Sequence, residues 1–329
     1  MSAKRTAAVT GAGGFIGSHL VERLLADGWR VRALVRYHSS PGWGWLEELR
    51  HEAPDDLEVV RGDITDPAQM RDFVAGREVV LHLAAMISVA YSFRAPSTVF
   101  ETNVMGTVRV ADAAREHRVR RFVLMSSSEV YGSALRVPID EDHPLQAQSP
   151  YAASKVAAEK VVESYVRSFG LPAVTVRSFN TFGPRQSTRA IVPTIVTQAL
   201  EREAIELGSV HPVRDLSYVE DTVAGLVAAV EADAEAIGQV VNLGRGEGVS
   251  VGELAERVCG LLGRPLEIRT DPERVRPADS EVDRLVCDNR RARELLGWEP
   301  RVGLEEGLVR TIGWIRAHRD RFPTLDYQV

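Results

Sequence analysis

The chain has 329 residues, 44% of them hydrophobic and 26% charged, with a formal net charge of −6. That is chain enough for one large domain or two smaller ones, in the composition of an ordinary globular protein. The acidic balance gives no global electrostatic reason to bind nucleic acid or an acidic membrane, two cysteines exclude a disulfide framework, and no run of about 18 apolar residues exists to span a bilayer.

Few cysteines, and an opening MSAKRTAAVTGAGG without an apolar leader, set the expectation of a reducing cytosol. In chain order, TAAVT (6–10) reads as a strand and FIGSHLVERLLADG (15–28) as a helix stopped by Gly28. RVRALV (30–35), LEVVRGD (57–63) and REVVLHLAA (77–85) are further strands. A helical pattern runs over 96–117, then RRFVLMSS (120–127) is a fifth strand and AVTVRSFN (173–180) a sixth. Alternation of this kind predicts a doubly wound α/β fold of Rossmann type, its parallel sheet covered on both faces.

After Asn180 the texture changes to a Pro/Gly-marked loop, a helix, a short strand VVNLG (240–244) and two more helices. One of these starts with Ser250 and has Glu253 three residues on, a capping box; the other ends at Gly297. The expected organisation is a dinucleotide-binding domain over 1–179 and a smaller mixed substrate lobe over 180–329. Segments near 212–250 are expected to return to the first domain.

TGAGGFIG (10–17) lies between the first strand and the first helix, with Gly11, Gly14 and Gly17 three apart. Such glycines allow a tight turn and close approach of a pyrophosphate to a helix N-terminus. The second strand ends in Val35 and Arg36, where an acid would hold the ribose 2′-hydroxyl of NAD. A basic residue there suits a 2′-phosphate, so the expectation leans toward NADP; stacking on adenine, or exposure to water, stays open for Arg36. Asp63, after the third strand, is a candidate for the adenine amino group.

The fifth strand ends in SSSEVYG, hydroxyls and a carboxylate at the place where parallel sheets bind ligands. Further on, Ser149 and Pro150 open a helix that Gly170 closes, with Tyr151 and Lys155 four apart on one face. A phenol with a pKa near 10 is a poor base alone, but an adjacent ammonium favours the phenolate. Tyr151 could then take a proton from a hydroxyl whose carbon loses hydride. His82 and the other histidines show no ligand spacing, and no metal is expected.

With TGAGGFIG, GDITD, HLAA, NVMGT, SSSEVYG, YAASK, FNTFGPRQ, RDLSYVEDT and LGW.P, the chain resembles the extended short-chain dehydrogenases/reductases of nucleotide sugars over nearly its whole length. YHSSPGWGWLEEL, RAIVPTIVTQAL and RPADSEVDRLVCDNRRARELLGW resemble the 4,6-dehydratases of the legionaminic acid pathway, with GDP-mannose 4,6-dehydratases a looser match. The resemblance implies that Phe15, Ile16, Ile64, Leu83, Ala84 and Ala85 line the dinucleotide, and that Lys155 also holds the nicotinamide ribose. Ser127, four residues before Tyr131, becomes the hydroxyl that meets the sugar 4-oxygen beside Tyr151. Glu129 takes the place of the base that removes the C5 proton in dehydratases. Glucose-type dehydratases carry an aspartate where this chain has Ser128, so the proton donor to the leaving hydroxyl stays open between Glu129 and water.

On the substrate side the resemblance implies Ser88, Ser92, Ser128 and Asn180 near the sugar or diphosphate, and Arg185, Arg214 and Arg276 as phosphate partners. Asn103 is expected to brace backbone. The implied substrate is a UDP-, GDP- or dTDP-hexose, the cofactor a tightly bound, recycled NAD or NADP, and the assembly a homodimer through helices near 97–116 and 151–169. The expected reaction is 4,6-dehydration. Glucuronate decarboxylation, which shares SEVYG, and C4 or C5 epimerisation are the alternatives, and a non-catalytic NADP-sensing regulator is a further one.

Overall fold

A computed structural model describes residues 4–37, 42–47, 49, 53, 55–274 and 281–322. Among these residues the strands are β1 (Thr6–Thr10), β2 (Arg30–Arg36), β3 (Leu57–Gly62), β4 (Val79–His82), β5 (Arg121–Ser127), β6 (Ala173–Ser178), β7 (Asn180–Phe182), β8 (Ala204–Leu207), β9 (Val213–Tyr218), β10 (Val240–Leu243), β11 (Gly248–Ser250), β12 (Glu267–Thr270) and β13 (Arg284–Leu285). The helices are α1 (Phe15–Ala26), α2 (Pro67–Val74), α3 (Val89–Arg94), α4 (Pro96–Phe100), α5 (Gly106–Glu116), α6 (Pro150–Phe169), α7 (Ile191–Glu201), α8 (Val219–Glu231), α9 (Val251–Leu262), α10 (Arg290–Leu296) and α11 (Leu304–Ala317).

Seven strands form one parallel sheet in the order β10-β6-β5-β4-β1-β2-β3. The chain winds outward from β1 in one direction and from β4 in the other, so the order reverses between these two neighbours. A crevice opens there at the carboxyl ends of the strands. Side chains alternate across the pleat. Ala7, Val9, Val79, Leu81 and Val123 therefore meet α1 and α8 on one face, while Ala8, Val80, Phe122 and Leu124 meet α2, α5 and α6 on the other. Burial on both faces explains the unbroken apolar runs of these strands.

The sixth strand is shorter than the run AVTVRSFN suggests. It stops at Ser178, and Asn180 starts β7, which leaves the main sheet to pair with β9. Ser178 marks the bend: its hydroxyl donates to the Phe179 carbonyl and contacts Thr181 Oγ1. β9 also carries β11 and β13, making a small mixed sheet, while β8 and β12 pair separately. The helical pattern over 96–117 is interrupted by a π-helical turn, Glu101–Met105, between α4 and α5. Asn103 lies in that turn and binds the loop after β4; π-turns recur at such functional places.

Candidate active site

Gly11 has φ +70° and lies so close to the β4 loop that a Cβ there would sit 2.8 Å from the Ala84 nitrogen. At Gly17 a Cβ would come within 2.1 Å of the Gly11 carbonyl oxygen. These two positions bring the backbone and α1 tightly onto the sheet. Gly14 caps α1 without a side-chain bond, leaving the first N–H groups of Phe15, Ile16 and Gly17 without intrahelical acceptors at the carboxyl end of β1. A bare cradle of N–H groups at a switch point fits the pyrophosphate of a dinucleotide.

The neighbouring loop is tied down by threonine and histidine. Thr107 Oγ1 donates to the Asn103 carbonyl at 2.6 Å, so its contact with His82 Nε2 at 3.1 Å must be donated by the histidine. His82 Nδ1 then accepts from Thr10 Oγ1 at 2.8 Å, and the same Thr10 oxygen accepts the Leu83 and Ala84 N–H groups. Burial pushes His82 down to about 3, with Lys155 adding to the shift, so it is a neutral brace. Asn103 accepts the Met86 N–H and donates to the Met86 carbonyl and to Ser154 Oγ. Thr10, Thr107 and Ser154 were not singled out in the sequence; no local spacing marks a support made across three elements.

At the outer end of the crevice Val35 is buried, whereas Arg36 is exposed and has no hydrogen bond or ion pair among the described residues. Asp63 is exposed; one of its oxygens accepts both the N–H and the hydroxyl of Thr65. Ile64 is buried, its side chain under Gly106. The loop after β2 returns over the glycine turn, with the Trp45 N–H bonded to the Gly13 carbonyl. Trp45 packs edge-on against Trp314 of α11 and stacks on Phe322.

Ser127 ends β5, and its Oγ accepts the Glu129 N–H at 3.2 Å, which starts the 3₁₀ turn Ser128–Tyr131. Ser149 caps α6 through the Ala152 N–H, so Tyr151 enters the helix in its first turn. The Ser127 hydroxyl and the Glu129 carboxylate both lie close enough to the Tyr151 phenol to act on it. Burial pushes Tyr151 up to about 12; the Ser127 hydroxyl opposes the rise and the Glu129 charge adds to it. Lys155 donates to the Met125 carbonyl at 2.7 Å. Burial pulls it down to about 8, against the charge of Glu159. The constellation offers a hydroxyl and a phenol for one oxygen, an ammonium behind them and a carboxylate to one side. That set can move a proton off a hydroxyl and a second proton off a neighbouring carbon.

Ser128 is buried in the turn. Asn180 stands where the two sheets part, its Oδ1 buried without a hydrogen-bond partner among the described residues. Ser88 caps α3 through the Tyr91 N–H, and Ser92 is fully buried with its hydroxyl given to the Val89 carbonyl. Arg185 turns toward α1 and pairs with Glu22 at 2.8 Å, at a positive φ of 67°. Arg214, largely covered, lies 3.6 Å from Glu281. Arg276 lies outside the described residues. Among the described residues no cluster of three metal-ligating side chains occurs, and no helix is long and apolar enough to cross a membrane.

A glycine turn at the switch point of a doubly wound sheet, facing a serine, a tyrosine and a lysine, defines the short-chain dehydrogenase/reductase class of dinucleotide-dependent enzymes. Within it, the chain belongs to the GDP-mannose 4,6 dehydratase family, whose model matches residues 8–311. It is 40% identical over 316 residues to a UDP-glucose 4-epimerase of Mycolicibacterium smegmatis, covering 94% of this chain and 97% of that one. It is 35% identical over 322 residues to a dTDP-glucose 4,6-dehydratase of Streptomyces griseus, covering 94% of each. The dTDP-glucose 4,6-dehydratase DesIV of Streptomyces venezuelae, solved with NAD, superposes with a TM-score of 0.88 at 30% identity, over 96% of this chain and 98% of that one.

Proposed function

We propose that this protein is a nucleotide-sugar 4,6-dehydratase producing a 4-keto-6-deoxy sugar nucleotide. Glu129 carries the reading: a carboxylate fixed two residues beyond Ser127, whose charge is felt at the Tyr151 phenol. An epimerase needs no base there. When bound, the nicotinamide dinucleotide would supply the hydride acceptor for C4 and the hydride donor for C6. Phe15, Ile16 and Gly17 N–H groups would hold its pyrophosphate, and Lys155 its ribose. Tyr151 Oη takes the 4-hydroxyl proton, with Ser127 Oγ bonded to the same oxygen. The resulting ketone acidifies the C5 hydrogen, and Glu129 removes that proton as the C6 hydroxyl leaves. With Ser128 beside it, Glu129 also delivers the proton to the departing oxygen. Asn180 Oδ1, without a partner among the described residues, would accept a hydrogen bond from a sugar hydroxyl.

Epimerisation at C4 is the second reading, favoured by the 40% identical epimerase and by the absence of an acid at Ser128. Incubation with dTDP-glucose, UDP-glucose, UDP-N-acetylglucosamine, GDP-mannose and UDP-glucuronate, followed by mass measurement, separates the cases. Loss of water is expected for one of the first four. An unchanged mass with altered sugar configuration would replace dehydratase by epimerase, and loss of carbon dioxide by decarboxylase. In deuterated water the dehydration product should carry deuterium at C5; its absence would sink the mechanism.

Arg36, exposed and without a partner among the described residues at the end of β2, supports acceptance of a 2′-phosphate, so NADP is proposed to bind at least as tightly as NAD. Titration calorimetry checks this, and tighter binding of NAD overturns it.

A further inference from the structure

Beneath the site lies an ion pair that none of the chemistry above uses. Glu159 of α6 and Arg177 of β6 are each only 5% exposed. Arg177 grips the carboxylate with two prongs, Nε to Oε1 at 3.0 Å and Nη2 to Oε2 at 2.7 Å. Ser126 Oγ donates to the same carboxylate at 2.5 Å. The third guanidinium nitrogen, Nη1, donates to Tyr131 Oη at 2.8 Å, and Tyr131 donates to Asn242 Oδ1 at 2.7 Å.

Strand register explains the arrangement. Ser126 is level with Arg177, and Arg177 with Asn242, so one polar row crosses β5, β6 and β10 on the face that α6 covers. Glu159 comes down on that row one helical turn past Lys155 and two past Tyr151, on their face of α6. Ser126 and Tyr131 bracket the segment that carries Ser127 and Glu129. One buried pair therefore holds both ends of the turn and the helix opposite it. Such pairs offer little stability over apolar side chains of the same volume, because desolvation offsets the attraction. What this pair supplies is a fixed geometry and a negative charge.

We propose that Glu159 is a positioning residue, which with Arg177 sets the separation between Ser127 and Glu129 on the turn and Tyr151 and Lys155 on α6, and which supplies the negative charge that Lys155 faces. The proposal rests on reading Tyr151 and Lys155 as the reacting pair. Lys155 is faced by the neutral His82 of β4 and by Glu159 of its own helix. Glu129, on the turn, acts on Tyr151. Glu159 is faced in turn by Arg177 of β6, and Arg177 by Tyr131 and the Glu141 carbonyl.

The chain contains three lysines, Lys4, Lys155 and Lys160. Lysine labelled with ¹³C at the ε carbon therefore gives three resonances, and Lys155 is assigned by its loss in Lys155→Arg. Titrated in the full chain with saturating NAD, the Lys155 midpoint should fall by about one unit or more in Glu159→Gln, since an opposite charge has been removed. Glu159→Asp, which keeps the charge, should restore most of it. With the sugar nucleotide found above, Glu159→Gln should lower kcat by about tenfold or more with KM within about twofold, as misplacement of reacting groups does. Its alkaline limb should move down with the Lys155 midpoint.

A folded Glu159→Gln protein with an unmoved Lys155 midpoint and an unmoved limb overturns the proposal, even if its melting temperature drops. Should that variant not fold, Ser126→Ala removes one hydrogen bond and no charge. A kcat lowered about threefold or more at constant KM supports the proposal, and an unchanged kcat overturns it. Tyr151→Phe separates the two readings: if it stays active, the assignment of the reacting pair fails, whatever the Lys155 titration shows.

Discussion

Tyr151 and Lys155 are displaced in opposite senses by the same cause. Burial disfavours charge on either, so the phenol rises to about 12 and the ammonium falls to about 8. Two opposite trends follow as pH rises past 8. In the proposed mechanism the Lys155 ammonium supports a Tyr151 phenolate, so kcat is expected to fall as Lys155 loses its proton above about pH 8. Folding goes the other way. Between about 8 and the ordinary 10.5 the unfolded chain binds more protons at this lysine than the folded one, so its contribution to stability rises with pH. Rate and urea-midpoint profiles over the same buffers check the pair. His82 obeys the same sign lower down: neutral when folded to about pH 3, it stabilises fully above 6.5, and that contribution drains away as pH falls toward 3. Its size is on the order of a few kcal/mol, and a His82→Gln variant should show a flatter acid branch of the melting temperature. Glu129→Gln keeps shape and removes the proposed base; binding should persist while product formation falls by about a hundredfold or more, measured by mass. Tyr151 and Lys155 could be proposed from their four-residue spacing on one helix, and Ser127 and Glu129 from the resemblance that SSSEVYG carries. Glu159 and Arg177 were not, since an arginine inside an apolar strand carries no sign of the partner that a helix 18 residues earlier brings to it.

At the scale of elements, the main strands could be read because both faces are buried and their apolar runs are continuous. The small strands could not. β7, β11 and β13 have two or three residues each, and all three pair with β9, whose neighbours in the sheet lie tens of residues away in sequence. Their order comes from tertiary contacts. Asp221 in α8 is one such contact: its two carboxylate oxygens accept the N–H groups of Arg301 and Val302, and its carbonyl takes the indole N–H of Trp298. Asp221→Asn turns one acceptor into a donor and leaves a largely buried N–H without a partner. A loss of about 1–3 kcal/mol in stability is expected, read from thermal or urea unfolding.

For the whole molecule, the main sheet meets the small mixed sheet where β6 gives way to β7, and that small sheet is assembled from segments far apart in the chain. On the outside, Pro96, Phe100, Val104 and Met105 line an apolar groove over α4 and the π-turn, beside α6, with Phe100 and Phe169 exposed. A homodimer through these helices is proposed. Sedimentation velocity should give twice the chain mass, and Phe100→Asp should shift it toward the monomer. The loop that folds back over Gly13 has an optical consequence. Trp43 and Trp45 sit at the glycine turn, and Trp45 touches Trp314, so three of the five indoles in the chain gather beside the dinucleotide cradle. Their emission overlaps the absorption of a reduced nicotinamide, so intrinsic fluorescence should dim as reduced dinucleotide fills the cradle. A stopped-flow trace can then time the loading of the protein before any sugar is added.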